Sequence, residues 1–126
     1  MSTKEVYTRA VYKFFDRATN DSLIFYKHHD GYPHGWFGAL ERIKAVLVLG
    51  AFNDLKVIKK VMLEVGAKEL RDEMEADRVE QQHRYNVDLD DGQVTLTHYD
   101  WHGDKDKHHY LLEHTGWKQR WMDIAV

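Results

Sequence analysis

Residues 6–36 read VYTRAVYKFFDRATNDSLIFYKHHDGYPHGW, and the change of rhythm inside this stretch decides the fold. Val6–Asp16 and Ser22–His28 carry the aromatic and β-branched bias of strands, and the polar run RATND joins them as a hairpin. Beyond Gly35 the apolar spacing lengthens: Trp36, Leu40, Ile43 and Leu47 lie three or four apart and mark one buried face of a helix. The segment between the two rhythms, Tyr26–Trp36, holds three histidines, one aspartate, two glycines and the chain's single proline.

Working outward, Gly50 ends the first helix and Asn53 caps a second, whose inner face is Leu55, Ile58, Met62 and Val65. Gly66 interrupts the pattern. AKELRDEMEADRVEQQ resumes it weakly, with Leu70 and Met74 facing inward and a charged, partly exposed remainder. Tyr85, Val87 and Leu89, then Val94 and Leu96, alternate with polar residues on either side of Asp91-Gly92, which predicts a second hairpin. HGDKDKHH reads as the next turn, HHYLLEH as a fifth strand, and TGWKQRWMDIAV as either a short strand or an ordered extension. The order β-β-α-α-(α)-β-β-β predicts an α+β fold: an antiparallel sheet of about five strands with the helices packed on one face. No linker or repeat divides residues 1–126, which are expected to form one domain.

Composition limits the function. The chain of 126 residues is 43% hydrophobic and 31% charged, the balance of a globular domain able to bury a core. Its longest apolar stretch, AVLVLGAF, is too short to span a bilayer, and MSTKEVYTRA has no apolar core of a signal peptide. The expected setting is therefore the cytoplasm, with no membrane partner. The absence of cysteine excludes disulfides, thiolate metal sites and thiol nucleophiles. A formal charge of −3 argues against general nucleic-acid binding, though it leaves room for a local basic patch.

Nine histidines and four tryptophans call for a reading of their own. His28, His29, Asp30 and His34 are metal-ligand types, and His98, His102, His108 and His109 surround the last hairpin. Neither group has the spacing of a metal site with a defined mechanism, and surface histidines in polar loops are the plain alternative. Asp30 beside His28 or His29 offers an acid–base pair, yet neighbouring strand residues point to opposite faces. No G-x-S-x-G elbow occurs, and DLDDG misses the calcium-loop pattern at Gly92.

The turn reading has the firmest physics. Asp30-Gly31 can turn because glycine tolerates positive φ, Pro33 holds Tyr32 extended, and Gly35 releases the chain into the helix. The free N–H groups of that helix start, beside Lys27 and His34, form an anion grip if exposed. YDWHG and WKQRW alternate rings with cations, the chemistry that stacks planar ligands. The plain alternative is that Trp101, Trp117 and Trp121 cover the sheet or an oligomer contact. The charges from Lys68 to Arg78 read as a solvated helix face.

TRAVYKFFD and SLIFYKHHDGYPHG resemble small proteins encoded by tailed bacteriophages and prophages, in which a Tyr-(Arg/Lys)-His-x-Asp-Gly-Tyr-Pro-x-Gly signature follows a hairpin. Here the signature falls on Tyr26, Lys27, His28, Asp30, Gly31, Tyr32, Pro33 and Gly35, and HRYNVDLDDGQVTL resembles their later hairpin. The resemblance implies an accessory protein acting in the bacterial host cytoplasm, with no catalytic residue to carry over. Small phage proteins of this size often act on host defences, some by occupying protein surfaces and others by sequestering nucleotide-derived signals.

The reading is thus a non-enzymatic binder of a host defence protein or a small phosphorylated ligand, with no cofactor implied. Lys27, His28, Asp30, Tyr32, His34 and Trp36 are its first candidate contacts, joined by Tyr99, Trp101, Arg120 and Trp121 as stacking or phosphate contacts. A metal-dependent hydrolase or nuclease using the histidines is the alternative, and a homo-oligomeric structural protein the third.

Overall fold

The computed structural model describes residues 8–49, 54–90, 93–100, 107–113 and 116–120, with residue 120 described by its backbone alone. The opening hairpin forms as its sequence predicts, from β1 (Ala10–Asp16) and β2 (Asp21–Lys27). Its turn is built by Asp16, whose carboxylate accepts from the Ala18 N–H at 3.0 Å and the Thr19 hydroxyl at 3.2 Å. Asn20 closes it with φ of 62°, a conformation its short side chain tolerates.

Helix α1 (Ala39–Leu49) begins three residues later than the apolar spacing suggests, so Trp36 precedes the helix and points to solvent. Helix α2 (Leu55–Glu64) is capped by Asp54, which accepts from the Lys56 and Val57 N–H groups; Gly50 and Asn53 lie outside the described residues. Gly66 ends α2 with φ of 93°, and the Ala67 N–H returns to the Met62 carbonyl at 3.0 Å.

The segment expected as a third weak helix divides in two. Strand β3 (Lys68–Leu70) adds to the edge of β2, with Leu70 inward as expected. A short helix, α3 (Glu73–Arg78), then starts at Asp72, which caps the Glu75 N–H at 2.9 Å. The side chain packed inward from α3 is Ala76, whereas Met74 is exposed, contrary to expectation.

Strands β4 (His83–Asp90), β5 (Gln93–Asp100), β6 (Lys107–Glu113) and β7 (Gly116–Arg120) complete a sheet of seven described strands in the order β3-β2-β1-β4-β5-β6-β7. The tail therefore contributes a strand. The sheet is larger than the expected five strands and is mixed, because β4 runs parallel to β1, Ala10 facing His83 and Asp16 facing Leu89. Central placement explains the composition of β1: Ala10, Val11, Tyr12 and Phe14 are all buried, so both of its faces are covered.

The helices also divide between the faces. Helices α1 and α2 bury Ile43, Leu47, Ile58 and Met62 against Tyr12, Phe14, Phe25, Tyr85 and Val87. Alternation along β1 sends Val11 to the opposite side, where Ala76 of α3 joins it with Ile24 and Leu70. Packing of every helix on one face is thus corrected. Beyond α3, residues of β1, β4, β5 and β6 line an open depression on that second face. No described helix is long and apolar enough to cross a membrane.

Candidate binding loop and the sheet beneath it

Residues 28–38 cross the end of the sheet and enter α1, held by hydrogen bonds at both ends. Gly31 donates to the Thr8 carbonyl at 2.8 Å, and Tyr85 donates its hydroxyl to the Gly31 carbonyl at 2.5 Å. Arg42 donates to the Asp30 carbonyl at 3.2 Å. The residue with positive φ is Asp30, at 58°, rather than Gly31. Gly31 is required for a different reason: a Cβ there would lie 2.8 Å from both the Ala10 Cβ and the Thr8 oxygen. The turn reading keeps its chemistry but exchanges the roles of the two residues.

The helix start does not offer the expected anion grip. Ala39 donates to the Tyr32 carbonyl at 2.7 Å and Leu40 to the Pro33 carbonyl at 3.1 Å, so these two N–H groups are already satisfied by the loop itself. Of the two cations expected beside it, Lys27 is buried and His34 exposed.

The other candidate residues fall into separate places. His28 is exposed, and its Nδ1 accepts from Arg9 at 3.2 Å and meets the Tyr26 hydroxyl at 2.9 Å. Tyr32 donates to the half-buried Asp30 carboxylate at 3.3 Å. Trp36 is 94% exposed beside Phe37 at 70%, a neighbour the sequence reading passed over although the adjacent ring is its signal. Tyr99 lies on the far face of the sheet, 5.7 Å from the Lys107 Nζ, in the depression lined also by Lys13, Phe15, Asn86 and Thr97. Trp101, Trp121, His102 and the Arg120 side chain lie outside the described residues. Trp117 packs against the core under the helices and donates its indole N–H to the Leu40 carbonyl at 2.8 Å.

Register brings together residues that the sequence reading kept apart. Tyr12, Tyr85, His98 and His108 stand side by side on four adjacent strands, on the face covered by α1 and α2. Their rings stack in succession: 5.3 Å between Tyr12 and Tyr85, 4.8 Å between Tyr85 and His98, and 5.5 Å between His98 and His108. His98 is buried, with Nε2 2.8 Å from the His83 Nδ1. Its own Nδ1 has no hydrogen-bond partner. An unmatched buried acceptor is easier to hold than an unmatched N–H, which favours the tautomer in which the His98 Nε2 donates to His83. Burial, then the neighbouring His83, His108 and His34, push the His98 pKa down to about 3, so the ring is neutral at pH 7.

The two histidine groups converge only in part. His98 and His108 share the helix-covered face and His34 is close enough to act on His98. His28 turns instead toward Tyr26, and His109 faces the open depression. Among the described residues no three histidine or carboxylate side chains are grouped to hold a metal ion. Comparison with known proteins found no matching family model, no similar curated protein and no similar solved structure.

Proposed function

We propose that this chain is a non-enzymatic phage or prophage accessory protein that binds a host defence protein, with Trp36 and Phe37 as its anchoring contact. The observation that carries the reading is their exposure, 94% and 70%, on a loop fixed by hydrogen bonds at both ends. A loop backbone already held in place loses little conformational entropy on binding, and exposed aromatics carried on it are the residue type that dominates protein interfaces. The resemblance of Tyr26–Gly35 to phage proteins supplies the expected setting, the cytoplasm of an infected or lysogenic bacterium.

A second reading, sequestration of a phosphorylated nucleotide signal, is favoured by Tyr99 with Lys107 close to its ring on the uncovered sheet face. The hydrolase reading has less support, because His28 and His98 face opposite sides of the sheet. The test is phage plaquing on bacteria carrying defined defence systems, one at a time, with the protein supplied in trans. The protein should restore plaquing against at least one system and bind a purified component of it, and the Trp36→Ala, Phe37→Ala double variant should lose both effects. Restoration that survives in the double variant but fails with Tyr99→Ala would move the site to the open sheet face.

A further inference from the structure

Beyond α3, register lines up polar side chains on the second face of the sheet. Lys13, Asn86, Thr97 and His109 stand side by side on β1, β4, β5 and β6. Phe15, Asp88 and Thr95 form the row on one side of them, and Tyr99 with Lys107 lies in the row on the other. Apart from Lys107, all of these line the depression, whose volume of about 340 Å³ lies near the lower end for small-molecule sites. Two of its charges are already matched: Lys13 donates to Glu73 at 2.5 Å, and Arg17 grips Asp88 at 2.7 to 3.0 Å. Asn86 is different. It is half-buried at the middle of the sheet, and its amide makes no hydrogen bond among the described residues. Lys107 pairs with no described carboxylate, and its Nζ stands 5.7 Å from the Tyr99 ring centre.

Water satisfies an amide on an open surface, so Asn86 alone names no ligand; its neighbours narrow the choice. An amide presents a donor and an acceptor side by side. The N6 amino group and N7 of adenine return both, in two parallel bonds. Tyr99 is the diagonal neighbour of Asn86 across the β4–β5 pair, a separation that an aromatic side chain can reach across. Strand side chains stand roughly upright from a sheet, so a base laid against Tyr99 turns one edge toward the floor, where Asn86 and Thr97 lie. Stacking accepts any base, and the amide then supplies the selectivity. Lys107, beside the same ring, offers its charge to a phosphate. A long polyanionic strand is less well served, because Lys13 and Arg17 are engaged and the chain carries a net charge of −3.

We propose that the open sheet face holds an adenine mononucleotide: Tyr99 stacks the base, Asn86 and Thr97 read its edge, and Lys107 meets the phosphate. The inference rests on the nucleotide-sequestration reading and adds to it a base preference and the residue that imposes it. The site is separate from the exposed Trp36–Phe37 pair and holds whether or not that pair meets a protein.

The experiment is calorimetric titration of the whole chain with AMP, UMP, adenosine and ribose 5-phosphate. AMP should bind about tenfold tighter than UMP, the discrimination of one paired base edge. Adenosine should bind more weakly than AMP, and ribose 5-phosphate most weakly of all. Asn86→Thr should remove the preference for AMP over UMP, with Asn86→Ser as a second variant should the first fold poorly. Tyr99→Leu should weaken both nucleotides alike, by about tenfold. Lys107→Gln should bring AMP down to the level of adenosine. Equal binding of AMP and UMP, or a preference that survives both Asn86 variants, overturns the inference and leaves nucleotide sequestration standing. No binding of any of the four overturns both. A short oligoadenylate that binds more than about tenfold tighter than AMP also overturns it, and assigns the face to a single strand instead.

Discussion

The Tyr85 hydroxyl and the Gly31 carbonyl meet at 2.5 Å across 54 positions of sequence, so the fourth strand of the chain fixes the loop that follows the second. Both partners are buried. Tyr85→Phe should leave that carbonyl unmatched and cost about 1–3 kcal/mol, read as a lower urea midpoint at unchanged slope. Gly31→Ala should cost a similar amount by a different route, forcing the loop away from Ala10 and Thr8, and should speed amide exchange in residues 29–33.

Acid should unfold the protein through His98. The folded ring titrates near 3 and the unfolded one near its ordinary 6.5, so the unfolded chain binds the extra proton between these values. Stability from this group is complete above about pH 6.5 and falls as pH drops, by at most about 1.4 kcal/mol per pH unit. Equilibrium denaturation at pH 7, 6, 5 and 4 measures the slope. His98→Phe keeps a stacked ring without the titration, and its acid limb should be flatter; parallel limbs would show that other groups carry the effect.

Replacement of Trp36 and Phe37 by alanine should shift stability by less than about 0.5 kcal/mol, because neither ring is packed. The far-ultraviolet spectrum should be unchanged. A large drop in the urea midpoint would mean that these rings hold the fold rather than a partner.

Asp54→Ala removes the acceptor for two N–H groups at the start of α2 and should cost about 1 kcal/mol by denaturant titration. Asp54→Asn should recover most of that loss, because the amide oxygen can accept the same bonds.

What the sequence made legible was local. Asp16 and Thr19 build the turn with their own side chains and Asn20 with its positive φ, so the first hairpin could be read from the polar punctuation of RATND. The parallel pairing of β1 with β4 could not, since nothing near Ala10 names His83 as its neighbour. A trace was present in AVYKFF, whose near-continuous apolar run suits a strand covered on both faces rather than one side of a hairpin. The loop followed the same division. Its aspartate, glycines and proline announced a turn, but the need for glycine at position 31 comes from Ala10 and Thr8 beneath it. His98 could have been found: it continues the inward alternation of Val94 and Leu96, and a histidine on an apolar face invites the question of what it touches.

The central position of β1 has a consequence for how the molecule is made. During synthesis the β1–β2 hairpin can close as soon as its residues are free, but one long edge of β1 stays unpaired until His83–Asp90 has followed. That edge belongs to the most apolar strand of the sheet, and an open apolar edge is a template for a neighbouring chain. Each newly made molecule therefore passes through an interval of vulnerability set by the distance between its first strand and its fourth. Slow synthesis or crowding by sister chains should lengthen that hazard, and the yield of soluble protein should fall first under those conditions.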